Sequence, residues 1–177
     1  MTESLSGMSG LAHDPATWTR LGRRAYALRS GSHTYAHLLW EPGFKTRARA
    51  RTSRAEWTLE RRIFPSPRVH VREGHEEVAT YFPGWLANGR LKMRRGHSWR
   101  WRGLSPWRRS YGFLDDRGKP LVALRARIRL PPSAVVTLGD RAFGLDELSL
   151  LVVVGWYVTI LALDDLVAGG IASVARG

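Results

Sequence analysis

The chain has no cysteine, only three lysines, and 15 acidic residues against 28 basic ones. Without cysteine there is no disulfide framework, no thiolate metal site and no cysteine nucleophile, which fits a cytoplasmic location. The shortage of acid leaves a net charge of +13, carried almost entirely by arginine. Such a balance favours anionic partners, either nucleic acid or anionic lipid headgroups, and is silent about fold. Residues 1–15 lack a basic n-region and a continuous apolar stretch, so a cleaved signal peptide is not expected and the segment reads as a flexible tail. No repeat of 20–50 residues recurs, and no internal linker splits the chain. The G-x-S-x-G elbow, the P-loop and the dinucleotide fingerprint are missing too.

What the chain does contain, from Thr17 to Val136, is a succession of short segments with apolar residues at every second position. Gly, Pro, Ser or Asp clusters separate them, as in an all-β domain. In Lys45–Arg51 the residues Lys45, Arg47, Arg49 and Arg51 alternate with Thr46, Ala48 and Ala50. Small residues on the presumed inner face would let a strand approach a central helix closely. Trp57, Leu59 and Ile63 are expected to share the inner face of the next strand. Leu91 and Met93 oppose Arg90, Lys92 and Arg94. Trp99 and Trp101 oppose Arg100 and Arg102, and Val122 to Leu130 oppose Arg125, Arg127 and Arg129. His33–Trp40 is ambiguous, because Ser32 could cap a helix carrying Tyr35, Leu38 and Leu39 on one face. About ten strands are counted this way, in a domain from about residue 16 to 167, with a C-terminal tail at 168–177.

One long apolar run breaks the pattern: Leu148–Leu163, between Asp146-Glu147 and Asp164-Asp165. As a helix it measures about 24 Å, short of a hydrocarbon core of about 30 Å. Trp156 and Tyr157 sit at its middle, not at the headgroup levels where such rings gather. Two readings stay open: a helix at about 146–166 buried within a β-shell, or a single membrane span that anchors the protein. A helix apolar on every side must be covered on every side, and the strands can supply that cover.

Several of these features resemble a known family. The Gly89-Arg-Leu-Lys-Met segment, Trp99 and Trp101, an F-x-D-x-x-G turn at Phe113, Asp115 and Gly118, and the terminal L-L-V-V-V-G-W-Y helix are similar to the tubby-like superfamily. The nearest likeness is to bacterial members resembling the LURP-one-related and phospholipid scramblase families, over most of residues 17–167. The resemblance implies a mainly β fold, a closed antiparallel barrel of ten to twelve strands around a buried hydrophobic C-terminal helix. It also implies links to phosphoinositide binding or lipid scrambling without a shared enzymatic chemistry. A calcium site is not carried over, because Asp164 and Asp165 stand alone and calcium takes six to eight oxygen ligands.

The residues give no argument for an enzyme. His75-Glu76-Glu77-Val78-Ala79 has alanine where a zinc helix needs its second histidine. His33 and His37 lie about 13 Å apart if that segment is a strand, and no third ligand accompanies them. Asp115 and Asp116 suit a turn better than a catalytic pair. No metal, cofactor or catalytic residue is therefore expected. Arg90–Arg109 combines basic residues with three tryptophans, the composition of a single-strand nucleic-acid site. Alternation, however, turns Trp99 and Trp101 away from Arg100 and Arg102, while Trp107 stays free for exposure. The expected function is a binding or scaffold module that meets an anionic membrane surface through arginine faces. Its candidate residues are Arg47, Arg49 and Arg51 on one strand, Arg90, Lys92 and Arg94 on another, and Arg125, Arg127 and Arg129 on a third. Two of the three strands must be neighbours for their charges to form one patch.

Overall fold

Alternating apolar residues interrupted by tight turns dictate a meander, and the chain forms one that closes on itself. The computed structural model describes residues 4–12, 15–84, 88–105, 109–127 and 131–174. The first six strands are β1 (Ala16–Gly22), β2 (Ala25–Ser30), β3 (His33–Trp40), β4 (Arg47–Thr52), β5 (Glu56–Arg62) and β6 (Arg68–Glu73). The second six are β7 (Glu76–Pro83), β8 (Gly89–Met93), β9 (Ser98–Ser105), β10 (Ser110–Leu114), β11 (Pro120–Arg127) and β12 (Ser133–Leu138). Each pairs antiparallel with the next, and β1 joins β12 from Ala16↔Val136 to Trp18↔Ala134. Closure leaves no unpaired strand edge.

Helix α1 (Leu148–Val174) threads this barrel. Every residue from Leu148 to Leu161 is buried, and Trp156 and Tyr157 are 0% exposed. The helix is long and apolar enough over Leu148–Ala168 to cross a membrane, yet its first half lies inside the protein's own sheet. Small inward residues make room for it, among them Ala48 and Ala50 on β4 and Ala79 on β7, all fully or nearly fully buried. Aromatics fill the remainder. Trp18 stacks on Trp156 with centroids 6.1 Å apart, Tyr26 meets Trp156 edge-on at 5.5 Å, and Trp40 stacks on Tyr157 at 5.6 Å. The Tyr157 hydroxyl donates to the Thr46 carbonyl, and burial pushes its pKa up, so it stays a protonated donor.

At the end where α1 begins, two short 3-10 turns, Met8–Ala12 and Asp140–Gly144, pack together. Met8 and Leu11 are buried in the core, so this part of the expected N-terminal tail belongs to the barrel. We call this the closed end. At the opposite end, the exit rim, α1 emerges and is tied down by two ion pairs. Arg24 Nη2 lies 2.9 Å from Asp164, and Arg61 grips Asp165 with both terminal nitrogens at 2.6 and 3.0 Å. Burial raises the Asp164 carboxyl pKa, with Arg24 pulling the other way.

One further expectation is corrected, and one open reading is decided. Ile63 does not share the inner face with Trp57 and Leu59: β5 ends at Arg62, Ile63 is exposed, and Arg61 takes the next inward position to reach Asp165. The segment His33–Trp40 is a strand, because pairing with β2 and β4 on both sides outweighs local helical spacing. At the C-terminus, α1 runs on through Gly169-Gly170 to Val174, within the segment expected as a tail at 168–177.

Asp115 fastens the β10–β11 turn. One oxygen accepts the Arg117 and Lys119 amides at 2.9 and 2.8 Å, and the other accepts Arg141 at 3.0 Å. Burial alone would raise its pKa, but the Lys119 amide, the Arg141 guanidinium and the Arg117 amide outweigh that and hold it below the usual value. A carboxyl whose folded pKa lies below its unfolded value of about 3.9 stabilises the fold above that value and ceases to do so as pH falls through the lowered one. Asp115→Asn is therefore expected to lower Tm by several degrees at pH 7, and the gap between variant and wild type should narrow toward pH 3. Parallel melts across that range would show it, and a gap that stayed constant would refute the assignment.

Candidate anion-binding face

Parity along the strands decides which basic side chains reach the outside of the barrel. On β4 it places Arg49 and Arg51 in solvent and Arg47 half-buried; on β8 Arg90 and Lys92 are exposed, and on β11 Arg125 and Arg127. The three strands are not neighbours. β5, β6 and β7 stand between β4 and β8, and β9 and β10 stand between β8 and β11. A meander with tight turns keeps sequence neighbours adjacent in space, so strands three or more apart cannot pair except at the closure.

Two of the three β4 arginines are also compensated, and the third has an acidic residue opposite it in register. Glu41 accepts Arg49 Nε at 2.7 Å and has Arg47 Nε 3.1 Å from its other oxygen, and Arg51 stands directly opposite Glu56. Arg94, beyond the end of β8, pairs with Glu76. Arg129 and Trp107 lie outside the described residues.

The remaining candidates fall into one surface once β9 is included. Arg90 on β8 is directly opposite Arg100 on β9, Lys92 opposite Ser98, and Arg102 follows on the same outer face. Across β10, which contributes only Ser110, Gly112 and Leu114 outward, Arg125 and Arg127 continue the surface on β11. The four strands β8 to β11 contain six basic residues and no acidic one. Among the described residues, Arg90, Lys92, Arg102, Arg125 and Arg127 have no ion-pair partner, and Arg100 donates to the Asp115 carbonyl at 3.3 Å. Three inter-strand spacings make this strip about 14 Å wide. Neighbouring strands lie within a Debye length of about 8 Å while the two edges of the strip do not, so the strip suits an extended anionic surface that each charge meets locally.

Arg100 and Arg102 are the residues that the sequence argument placed on the outer face without assigning them to the site. Alternation in Ser98–Arg102 was the available signal. The aromatic residues of the same strands face inward: Trp101 and Phe113 are buried, and Trp99 and Tyr111 pack against the core. Among the described residues, no group of three or more His, Asp or Glu side chains is placed to hold a metal ion.

Comparisons with protein-family models, with curated proteins and with solved structures find no match for the chain.

Proposed function

We propose that the protein is a non-enzymatic binding module that attaches to anionic lipid surfaces through the outer face of β8–β11. The observation that carries this reading is the strip of Arg90, Lys92, Arg100, Arg102, Arg125 and Arg127, on β8, β9 and β11 of four consecutive strands that contain no acidic residue. Uncompensated cations on a broad convex sheet suit a surface of many diffuse negative charges. Each contributes on the order of 1 kcal/mol beside an anionic leaflet. The inward tryptophans weigh against single-stranded nucleic acid, which needs bases to stack on rings lining the cationic groove. Anchoring through Leu148–Leu163 as a membrane span would require drawing Trp156 and Tyr157 out of the barrel. Membership of the tubby-like superfamily is part of the same proposal, and the threaded helix and twelve-strand count support it.

Sedimentation with phosphatidylcholine vesicles, with and without phosphatidylserine, tests the reading. Binding is expected only with phosphatidylserine, and it should weaken steeply with salt. The double variant Arg102→Gln/Arg125→Gln should bind about 30-fold more weakly. Arg47→Gln/Arg49→Gln, which removes charges already paired with Glu41, should cost about threefold or less. Equal recovery on the two vesicle types at physiological salt would overturn the proposal.

A further inference from the structure

Charge and exposed apolar surface are distributed unevenly along the barrel axis. Nine of the thirteen described acidic residues, including Glu73, Glu76, Asp116 and Glu147, lie toward the closed end. The four toward the exit rim, Glu41, Glu60, Asp164 and Asp165, each have an arginine within ion-pair distance. Arg23, Lys45 and Arg68 at the rim have no ion-pair partner among the described residues, and Arg125 and Arg127 occupy the rimward end of β11. The rim is therefore the positive pole.

The large exposed apolar side chains gather at that same pole. Leu21 and Leu39 sit on strand ends at the rim, Phe44 on the β3–β4 loop, Ile63 and Phe64 on the β5–β6 loop, and Leu166 and Val167 on α1 past its exit. Together they make up the full set of exposed large hydrophobics among the described residues. Phe64 is 89% exposed and Ile63 and Leu166 are each 69% exposed. Beyond Asp165, α1 runs on to Val174 without a charged residue. Beside Phe44 lies a cleft of about 450 Å³, lined by Arg23, Arg24 and Lys45, with Trp40 and Glu41 among its walls. Clustered exposed apolar surface marks an interaction site. Combined with unpaired cations, it fits an interface that is apolar below and anionic above.

We infer that the protein docks end-on, with the exit rim against an anionic bilayer. Phe44, Ile63, Phe64 and the emerging turn of α1 enter the acyl boundary, and a lipid phosphate is received in the cleft by the unpaired Arg23 and Lys45, while Arg24 stays on Asp164. This rests on the proposed binding to anionic lipid and narrows its contact surface from the whole β8–β11 face to the rim. With the barrel end-on, the rimward Arg102, Arg125 and Arg127 of the basic strip reach the headgroups, and the rest of the strip stands at the side and adds only screened attraction. The buried part of α1 stays inside the barrel throughout.

Because the chain has no cysteine of its own, single labels report positions directly. Phe64→Cys at the rim and Glu73→Cys at the closed end, each carrying an environment-sensitive fluorophore, are mixed with phosphatidylcholine/phosphatidylserine vesicles. The rim label is expected to shift to the blue and to become shielded from an aqueous quencher, while the closed-end label stays unchanged. Co-sedimentation without a shift at Phe64 would overturn end-on docking and leave the binding function standing. Absence of co-sedimentation would overturn both. In addition, Ile63→Ser/Phe64→Ser should weaken vesicle binding about tenfold or more and leave the residue of binding fully salt-labile. Unchanged salt-resistant binding would count against the inference.

Discussion

Trp156→Ala is expected to destabilise the protein by about 3–5 kcal/mol, the usual cost of removing a fully buried large aromatic side chain. The ring is 0% exposed and is held between Trp18, stacked at 6.1 Å, and Tyr26, edge-on at 5.5 Å. Both neighbours are fixed to paired strands on opposite sides of the β1–β2 turn, so neither can collapse into the vacated space without breaking ladder bonds. Two aromatic contacts are lost as well, each worth about 0.5–1.5 kcal/mol beyond area. A loss of that size is a large fraction of a domain's stability of about 5–15 kcal/mol. Far-UV circular dichroism during urea unfolding measures the change without depending on tryptophan emission. A loss under about 1 kcal/mol would mean that the ring is not enclosed. Trp156→Phe, which keeps the edge-on partner, should fall between variant and wild type.

The same burial explains which parts of the molecule were legible beforehand. Alternation is a local property, so Ala48 and Ala50 facing inward on β4, or Trp101 inward and Arg102 outward on β9, followed from the sequence. Whether α1 was enclosed or spanned a membrane did not follow, since both environments demand the same apolar side chains. The Arg61–Asp165 latch joins residues 104 apart and has no local signature. Ile63 continues the period of Trp57 and Leu59, but the strand stops one residue short of it and the period carries no mark of that stop. Strand adjacency was legible in principle. Breaks of a few residues between successive strands imply a meander, and a meander separates β4, β8 and β11.

The candidate site divides in the same way. Outward placement of Arg90, Lys92, Arg125 and Arg127 is a matter of parity and was readable. Compensation was not, because Glu41 meets Arg47 and Arg49 only when the β3–β4 loop folds back. Nor was the gathering of Phe44, Ile63 and Phe64 at one end, which needs the exit point of α1 to be known. Sequence periodicity reports which way a side chain points across a sheet. It does not report what another segment brings to meet it.

Gly155→Leu separates the two environments of α1 by the sign of its effect. A Cβ at position 155 would stand 3.0 Å from Leu124 Cδ1 and 3.0 Å from Trp101 Cζ3. Both of those side chains are buried, Leu124 on β11 at 0% and Trp101 on β9 at 3% exposure, with Phe113 packed against the indole at 4.8 Å. The methyl of Gly155→Ala asks those side chains to yield by a few tenths of an ångström, and alanine returns about 1 kcal/mol of helix propensity, so that variant should be near neutral. Leucine adds three more carbons with no space to receive them. Overpacking of this kind costs about 1–3 kcal/mol, and the closed sheet around the site puts the expected loss at the upper end. On a helix face bathed in lipid, the same substitution would add favourable apolar surface and helix propensity together, raising stability. Thermal melts of Gly155→Ala and Gly155→Leu side by side therefore decide the matter: a near-neutral alanine and a strongly destabilising leucine place Trp101 and Leu124 against the helix. A leucine variant as stable as wild type would remove the barrel wall from around it, and the docking geometry built on an enclosed helix would go with it.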